Sequence, residues 1–113
     1  MKIYVSIPMK NKDELIQRRR AKRIQNHFEG KGYEVVNPFE LGDRLKRAYL
    51  KIAKKEPTYD QYLKEDLANL EDCDLIFMDK GWSESNGCME EITLAKSKDI
   101  EIILGDYYEI EGV

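Results

Sequence analysis

Short apolar runs alternate with longer helical patterns along this chain, and that alternation restricts its fold more than any other feature. The runs are rich in β-branched, aromatic and aliphatic residues, as strands are, and they are Lys2–Ser6, Tyr33–Val36, Asp74–Met78 and Ile100–Leu104. Strands that alternate with helices pair in parallel through right-handed crossovers, which place helices on both faces of the sheet. The sequence therefore predicts a three-layer, doubly wound α/β fold of the flavodoxin or Rossmann type. Its sheet is expected to be mainly parallel, with four to five strands.

Local signals predict where several helices begin and end. Asn11 or Asp13 is expected to cap a first helix that ends near the glycines at positions 30 and 32. Thr58, with Gln61 three residues later, forms a capping box that predicts the start of another helix.

Two segments are less constrained. Residues 39–57 contain a helical pattern from about Arg44 to Lys55, and they are expected to form either a lid over a site or a long connection. The tail, residues 105–113, looks irregular. Together with the core elements these segments are expected to form a single domain over residues 1–113, since the length allows one core and not two.

Composition excludes several functional classes. The net charge of −3 argues against a protein that coats duplex nucleic acid. No apolar run approaches the ~18 residues that a membrane span needs. The N-terminus enters a strand directly, without the apolar centre of a signal peptide, so a cytoplasmic location is expected.

The cysteines and the histidine give no metal-binding pattern. Two cysteines and one histidine are too few for a zinc site or a disulfide scaffold. Cys73 is expected to be a small buried residue. Cys88 is either a packed residue or, at a helix start, a thiol of lowered pKa. His27 is expected to be exposed or half-packed. No metal and no organic cofactor is predicted.

The segment Gly81–Glu91 is the most plausible place for chemistry. It follows the apolar run Leu75–Met78 and precedes a helical pattern. In an α/β fold such a strand, loop and helix meet at the carboxyl edge of the sheet, where ligands bind. Ser85 and Gly87 allow a close approach to a ligand. Glu91 is expected in the first turn of the helix, where the helix dipole favours an ionised carboxylate.

Two acids occupy positions where the helical pattern predicts apolar residues. Asp66 lies between Leu63 and Leu70 on the apolar stripe of its helix, and Glu91 has the corresponding place on the next helix. A buried carboxylate is unfavourable unless it is paired or hydrogen-bonded. Each acid alone could lie at the edge of a stripe and pair with a lysine or a backbone group. Together, with the small-residue loop before Glu91, they indicate a shared cleft.

Such a pair suits cleavage at an acetal carbon. One carboxylate attacks or stabilises an oxocarbenium-like sugar, while the second acid protonates the leaving group or assists the acceptor. An ionised carboxylate at a helix start has the charge that a nucleophile needs. A partly buried acid has a raised pKa and can carry the proton.

At these residues the chain resembles the nucleoside 2-deoxyribosyltransferase superfamily, which includes 2'-deoxynucleoside 5'-phosphate N-hydrolases and small uncharacterised members. The resemblance covers about residues 1–104. It is carried, in order, by Tyr4–Met9, Gly32–Pro38, Asp66–Asp74 and Gly81–Glu91. Ile7 departs from the family pattern, which usually has glycine there.

The resemblance implies a role for each matching position. Glu91 corresponds to the nucleophile that attacks the anomeric carbon, Tyr4 to the tyrosine that orients it, and Asp66 to the proton-handling aspartate. The implied substrate contacts are Ser85, Gly87 and Lys10 at the 5' end, and Asn37 and Trp82 at the base. Trp82 could equally be a loop anchor packed on the fold.

The resemblance also implies a small-molecule partner, a nucleoside or nucleotide, and a homodimer or larger homo-oligomer. The expected function is cleavage of an N-glycosidic bond by hydrolysis or base transfer. The alternative is a module that binds a nucleotide or an ADP-ribose-like ligand without turnover, which Ile7 favours. A third possibility is an interaction protein that uses the basic run Arg18–Arg23, although a solvated helix face is the more ordinary explanation of that run.

Overall fold

All four strands form one parallel sheet that is covered by helices. The computed structural model describes residues 1–113. Its strands are β1 (Lys2–Ser6), β2 (Glu34–Val36), β3 (Leu75–Met78) and β4 (Glu101–Leu104), and its helices are α1 (Glu14–Glu29), α2 (Pro38–Ile52), α3 (Tyr59–Glu71) and α4 (Asn86–Ser97). Short 3₁₀ turns span Trp82–Glu84 and Gly105–Tyr107. None of the helices combines the length and the apolar character needed to cross a bilayer.

The strand order places a crevice at the carboxyl ends of the central strands. The order is β2-β1-β3-β4, and every pair is parallel. The chain winds from β1 outward to β2 and then returns to the other side of β1 for β3, so the direction of winding reverses between the two central strands. In open α/β sheets such a switch point is where ligands bind. The predicted doubly wound α/β fold is thus confirmed, with four strands.

The two faces of the sheet bury separate apolar clusters. Side chains alternate between the faces of a strand. Ile3 and Val5 therefore pack into a cluster with Ala21, Ile24 and Phe28 of α1. Tyr4 points to the opposite face, where the second cluster is built mainly from α3, β3 and α4; its members there are Leu70, Ile76, Met78, Cys88, Ile92 and Ala95. The Glu91 side chain of α4 also lies on this second face, next to Tyr4.

The predicted helix caps are largely confirmed. The Asp13 carboxylate accepts a hydrogen bond from the Ile16 amide (3.0 Å), so Asp13 and not Asn11 caps α1. The capping box at Thr58 is present in both directions, with distances of 2.8 and 3.3 Å between its partners.

The start of α2 differs from the prediction. The helix begins at Pro38 rather than near Arg44, and it ends at Ile52. The Asn37 side chain accepts from the Phe39 amide (3.0 Å), and Pro38 takes the first helical position, where its missing N–H is harmless. Most of residues 39–57 is therefore regular helix, not a loose connection.

The start of α4 also differs from the prediction. Ser85 caps the helix by accepting from the Cys88 amide (3.3 Å), so Glu91 is its sixth residue and not part of its first turn. The helix dipole acts mainly within the first turn. The charge state of Glu91 must therefore be set by other groups.

The tail is irregular after its 3₁₀ turn, yet it packs on the core. Tyr108 stacks on Phe28 with ring centroids 5.6 Å apart, and Ile110 is buried in the same cluster. Arg23 donates a hydrogen bond to the Gly112 carbonyl oxygen (2.6 Å). Through these contacts the tail packs on the apolar cluster that α1 and β3 form.

Candidate active site

A cavity of about 740 Å³ opens at the carboxyl ends of β1 and β3. The loop after β1, the facing sides of α1, α2 and α3, and the start of α4 form its walls. Five of the predicted site residues line it, and they are Lys10, Asp66, Ser85, Gly87 and Glu91. The topology thus brings together residues that are up to 81 positions apart in the chain.

Glu91 is a buried carboxylate held by two hydroxyl groups. It lies on the inner side of α4 and is 5% exposed. The Tyr4 hydroxyl donates to Glu91 Oε2, and the Ser6 hydroxyl donates to Oε1 at 2.7 Å. Tyr4 and Ser6 are two residues apart on β1, so both side chains leave the same face of the sheet. None of the five ion pairs of the chain includes Glu91.

The balance of burial and hydrogen bonding sets the proton affinity of Glu91. Burial disfavours the charged form, and the two hydroxyl donors favour it. Burial has the larger effect and raises the pKa of Glu91 to about 7. The pKa of Tyr4 is raised well above its usual range by burial and by the nearby carboxylates, so its hydroxyl stays protonated and remains a donor.

Asp66 is the second acid of the cavity. It projects from α3 and is largely withdrawn from water, and it lines the same cavity as Glu91. Burial, followed by the negative charges of Glu91 and Glu65, raises the pKa of Asp66 to about 8. We refer to Asp66 and Glu91 as the carboxylate pair. Glu91 accepts two hydroxyl hydrogen bonds that stabilise its ionised form, whereas burial and the charge of Glu91 favour the protonated form of Asp66.

The start of α4 forms the wall next to Glu91. Ser85 and Gly87 lie in its cap and first turn, and the first amides of a helix have no partner within it. A side chain at position 87 would have its Cβ 3.7 Å from the Tyr59 hydroxyl. Because residue 87 is glycine, a space remains between the start of α4 and Tyr59. This space is lined by polar groups.

Another part of the cavity wall is aromatic and contains an ion pair. Arg18 of α1 bonds Asp43 of α2 through both terminal nitrogens (2.8 and 2.9 Å), and its guanidinium lies 4.9 Å from the centre of the Phe39 ring. Tyr59 and Tyr62 of α3 complete this wall. Flat aromatic and guanidinium surfaces of this kind can stack on a planar ring.

The structure does not bring Asn37 or Trp82 to the cavity. The Asn37 side chain is buried, donates to Gln25 Oε1 (3.1 Å) and caps α2. Trp82 is partly buried against the core cluster of α3, β3 and α4, as a loop anchor would be. The prediction that these two residues contact a base receives no support.

The two cysteines and the histidine are packed against other residues of the fold. Cys73 and Cys88 are buried, and burial raises the pKa of each thiol to about 11, which is opposite to the lowered pKa considered for Cys88. His27 is half-buried and lies 2.9 Å from the Tyr108 hydroxyl. The chain has no cluster of three or more His, Cys, Asp or Glu side chains arranged to hold a metal ion.

The basic run on α1 is not one solvated face. Arg18 reaches the cavity wall, whereas Arg20 forms a two-bonded ion pair with the buried Asp79 (2.7 and 2.9 Å) and ties α1 to the end of β3. Of the basic residues in the run, Arg19, Lys22 and Arg23 are exposed. Asp43 and Asp79 lie 25 and 59 positions from their arginines, so the run alone does not indicate these two partners.

Several residues that line the cavity or hydrogen-bond to Glu91 were missed by the sequence reasoning. They are Ser6, Arg18, Phe39, Asp43, Tyr59 and Tyr62. For Ser6 a signal existed, because it follows Tyr4 at the spacing of two that places strand residues on one face. The other five residues have no such spacing signal, since whether they reach the cavity depends on how α2 and α3 pack.

Comparison with known proteins gives a family and no function. A domain family described as "Domain of unknown function (DUF4406)" matches residues 1–104. No curated protein matches the chain.

Proposed function

Because this chain belongs to the DUF4406 family over residues 1–104, a family whose description names no function, we propose its activity from the site itself. We infer that it cleaves the N-glycosidic bond of a (deoxy)nucleoside or nucleoside 5'-monophosphate, by hydrolysis or by base transfer. The observation that carries the proposal is the carboxylate pair, one member held by two hydroxyls and the other more readily protonated, in one cavity. The resemblance to nucleoside 2-deoxyribosyltransferases supports the same bond.

In the first step, an oxygen of ionised Glu91 forms a bond to C1' of the sugar while the bond from C1' to the base nitrogen breaks. The electron pair of the broken bond goes to the base, which takes the proton of Asp66. Glu91 is then esterified to the sugar, and Asp66 is ionised. The higher pKa of Asp66 suits the acid in this step, and the lower pKa of Glu91 suits the nucleophile.

In the second step, ionised Asp66 takes a proton from water while the water oxygen bonds to C1' and the ester bond to Glu91 breaks. Glu91 regains its carboxylate and Asp66 its proton. If a second base replaces water, the product is a new nucleoside. Tyr4 donates to Glu91 throughout and holds one oxygen in place. Two displacements at C1' retain the configuration of the sugar.

The walls of the cavity support a nucleotide as substrate. The small-residue start of α4, with Ser85 and Gly87, offers amides and a hydroxyl to the 5' end, and Lys10 lines the same cavity. The aromatic wall with Phe39 and Tyr62 offers surfaces for the base.

The test is release of free base, measured by chromatography, from deoxyribo- and ribonucleosides and their 5'-monophosphates. Glu91→Gln keeps the shape of the side chain but removes the nucleophile, so its release is expected to fall to background. Glu90→Gln is the matched control, because Glu90 is the adjacent residue and is exposed; it is expected to retain activity. Equal release by wild type and Glu91→Gln for every substrate sinks the enzyme proposal.

A second candidate function is recognition of a nucleotide or ADP-ribose-like ligand without turnover. Ile7 favours it, because this residue is 7% exposed and lines the cavity at a position where the resembled family usually has glycine. A rise in melting temperature with nucleotide, together with no base release, would support this candidate. Base release that depends on Glu91 would contradict it.

A further inference from the structure

Ser6 is the second hydroxyl donor to Glu91, and neither the sequence pattern nor the family resemblance assigns it a role. We propose that Ser6 is a positioning residue, whose hydroxyl fixes the Glu91 carboxylate in the orientation and charge state required for attack on a sugar carbon. The attack itself rests on the proposed function. The hydrogen bond from Ser6 to the carboxylate is independent of that function.

The geometry divides the two carboxylate oxygens between two donors. Tyr4 bonds Oε2 and Ser6 bonds Oε1 at 2.7 Å. With both oxygens fixed, the carboxylate plane cannot rotate about its last side-chain bond. With Tyr4 alone, one oxygen would be anchored and the other could turn. Ser6 therefore fixes the orientation of the carboxylate plane.

The position of the Ser6 hydroxyl is itself rigid. Ser6 is fully buried and is aligned with Met78 in the parallel pairing of β1 and β3. Its carbonyl oxygen also accepts from the Asp79 amide (2.9 Å). The backbone of Ser6 is fixed by its pairing with β3, and the residue is shielded from solvent. If its hydroxyl were removed by mutation, bulk water would have little access to replace it.

No other neighbour favours the ionised form of Glu91. The groups that face it are Tyr4 from β1, Asp66 and Tyr59 from α3, and Cys88 from its own helix. None of these is a cation, no ion pair of the chain includes Glu91, and the hydrogen bonds from Tyr4 and Ser6 lower its pKa. Loss of one donor from a buried, charged acceptor is therefore expected to have a large effect.

The first experiment does not depend on turnover. The carboxyl carbon of Glu91 is titrated by ¹³C NMR, with its signal assigned from the spectrum of Glu91→Gln. Ser6→Ala is expected to raise the pKa of Glu91 by about one pH unit, since a hydrogen bond to a charged group contributes at least that much. Ser97→Ala is the matched control, because this exposed serine of α4 bonds only the Leu94 carbonyl and should leave the titration unchanged.

A second variant covers the case in which Ser6→Ala does not fold. Ser6→Cys keeps a side chain of similar size with a weaker donor, so the pKa of Glu91 is expected to rise by less than in Ser6→Ala. A titration of Glu91 that is the same in wild type and in the folded variant overturns the assignment of Ser6.

The second experiment measures base release against pH. If Glu91 must be ionised, the acid limb of kcat/KM is expected to move upward by about one pH unit in Ser6→Ala, a loss of about tenfold below that limb and much less above it. A merely structural role would lower activity equally at all pH values, and that result overturns the proposal. Should wild type release no base, the proposed function fails, and the NMR titration still decides whether Ser6 holds the carboxylate.

Discussion

Asp66 differs from the other acids of α3 in its surroundings rather than in its chemistry. Asp60 of the same helix is exposed, whereas Asp66 is partly buried and lies near Glu91, and both effects raise its pKa to about 8. A carboxylic acid that keeps its proton at neutral pH can donate it to a leaving base.

Asp66→Asn tests this role at the scale of one residue. Base release is expected to fall by about 10²- to 10⁴-fold, the usual contribution of a general acid. In a single turnover the loss should be small for a methylated purine nucleoside whose base is already cationic, because such a base leaves without a proton and Asp66 acts as a base only in the later step. Asp60→Asn is the control and is expected to match wild type.

The pH dependence of the same reaction provides a second observation. Activity should rise as Glu91 ionises near pH 7 and fall as Asp66 loses its proton near pH 8. Asp66→Asn should remove the alkaline limb. An unchanged alkaline limb in this variant, or an equal single-turnover loss with the cationic substrate, would contradict the role of Asp66.

At the residue scale, much of the site could be predicted from the sequence. Asp66 and Glu91 were recognisable because a charged residue on an apolar stripe is unusual. What could not be predicted is what holds Glu91. The helix-dipole argument was wrong, because α4 begins at Asn86 and Glu91 therefore lies beyond its first turn. The actual donors come from a strand 85 and 87 positions away.

At the scale of elements, glycine serves two different purposes in this fold. Gly42 lies within α2, and an added Cβ would meet the Tyr62 ring at 3.6 Å, an ordinary contact. Gly105 follows β4, and an added Cβ would lie 2.7 Å from the Met78 carbonyl oxygen. The first position has space for a methyl group. The second has none.

Gly42→Ala and Gly105→Ala are therefore expected to change stability in opposite directions. Gly42→Ala should stabilise the protein by up to about 1 kcal/mol, since alanine is the better helix former. Gly105→Ala should destabilise it by about 1–3 kcal/mol, because backbone atoms must move. The measurement is urea unfolding. Both variants lose the same glycine flexibility in the unfolded chain, so changes of the same sign would contradict the packing described here.

The elements themselves were mostly predictable, and their exact extents were not. Strands β1 and β3 and the Thr58 cap follow directly from composition and spacing. The start of α2 was missed because Asn37 and Pro38 resemble a strand end as much as a helix start. The packing of α2 against α3, which shapes the cavity, depends on contacts such as that of Gly42 with Tyr62. No local pattern encodes such a contact.

At the scale of the whole molecule, the carboxylate pair should lower stability at alkaline pH. Both acids bind protons more tightly in the folded chain than their usual values of 3.8 and 4.5 allow. Between about pH 4 and pH 8 the folded state therefore holds more protons than the unfolded state, and the free energy of unfolding falls as the pH rises. This loss of stability is the cost of burying the two acids.

Thermal unfolding as a function of pH can measure that cost. Glu91→Gln and Asp66→Asn are each expected to raise the melting temperature near pH 8, where the wild-type acids are forced to ionise, and to change it little near pH 4. Glu90→Gln and Asp60→Asn serve as controls on the same helices. Variants that melt below wild type near pH 8 by as much as near pH 4 would contradict the raised pKa values.

The layered architecture was predictable from the alternation of strands and helices, but the order of the strands was not. The order β2-β1-β3-β4 puts the switch point between β1 and β3, and so it decides which loops meet. Glu91 of α4 meets Tyr4 and Ser6 only because β1 and β3 are neighbours. The site is thus a consequence of topology as much as of its residues.

The central claim is that Glu91 forms a covalent bond to the sugar. A nucleoside or nucleotide with fluorine at C2' slows both steps, and it accumulates the esterified enzyme when the second step becomes the slower one. Intact-mass spectrometry should show the added sugar, and peptide sequencing should place it on Glu91. The adduct should persist in Glu90→Gln and vanish in Glu91→Gln. Release of base with no adduct, or with an adduct on any other residue, would contradict the account.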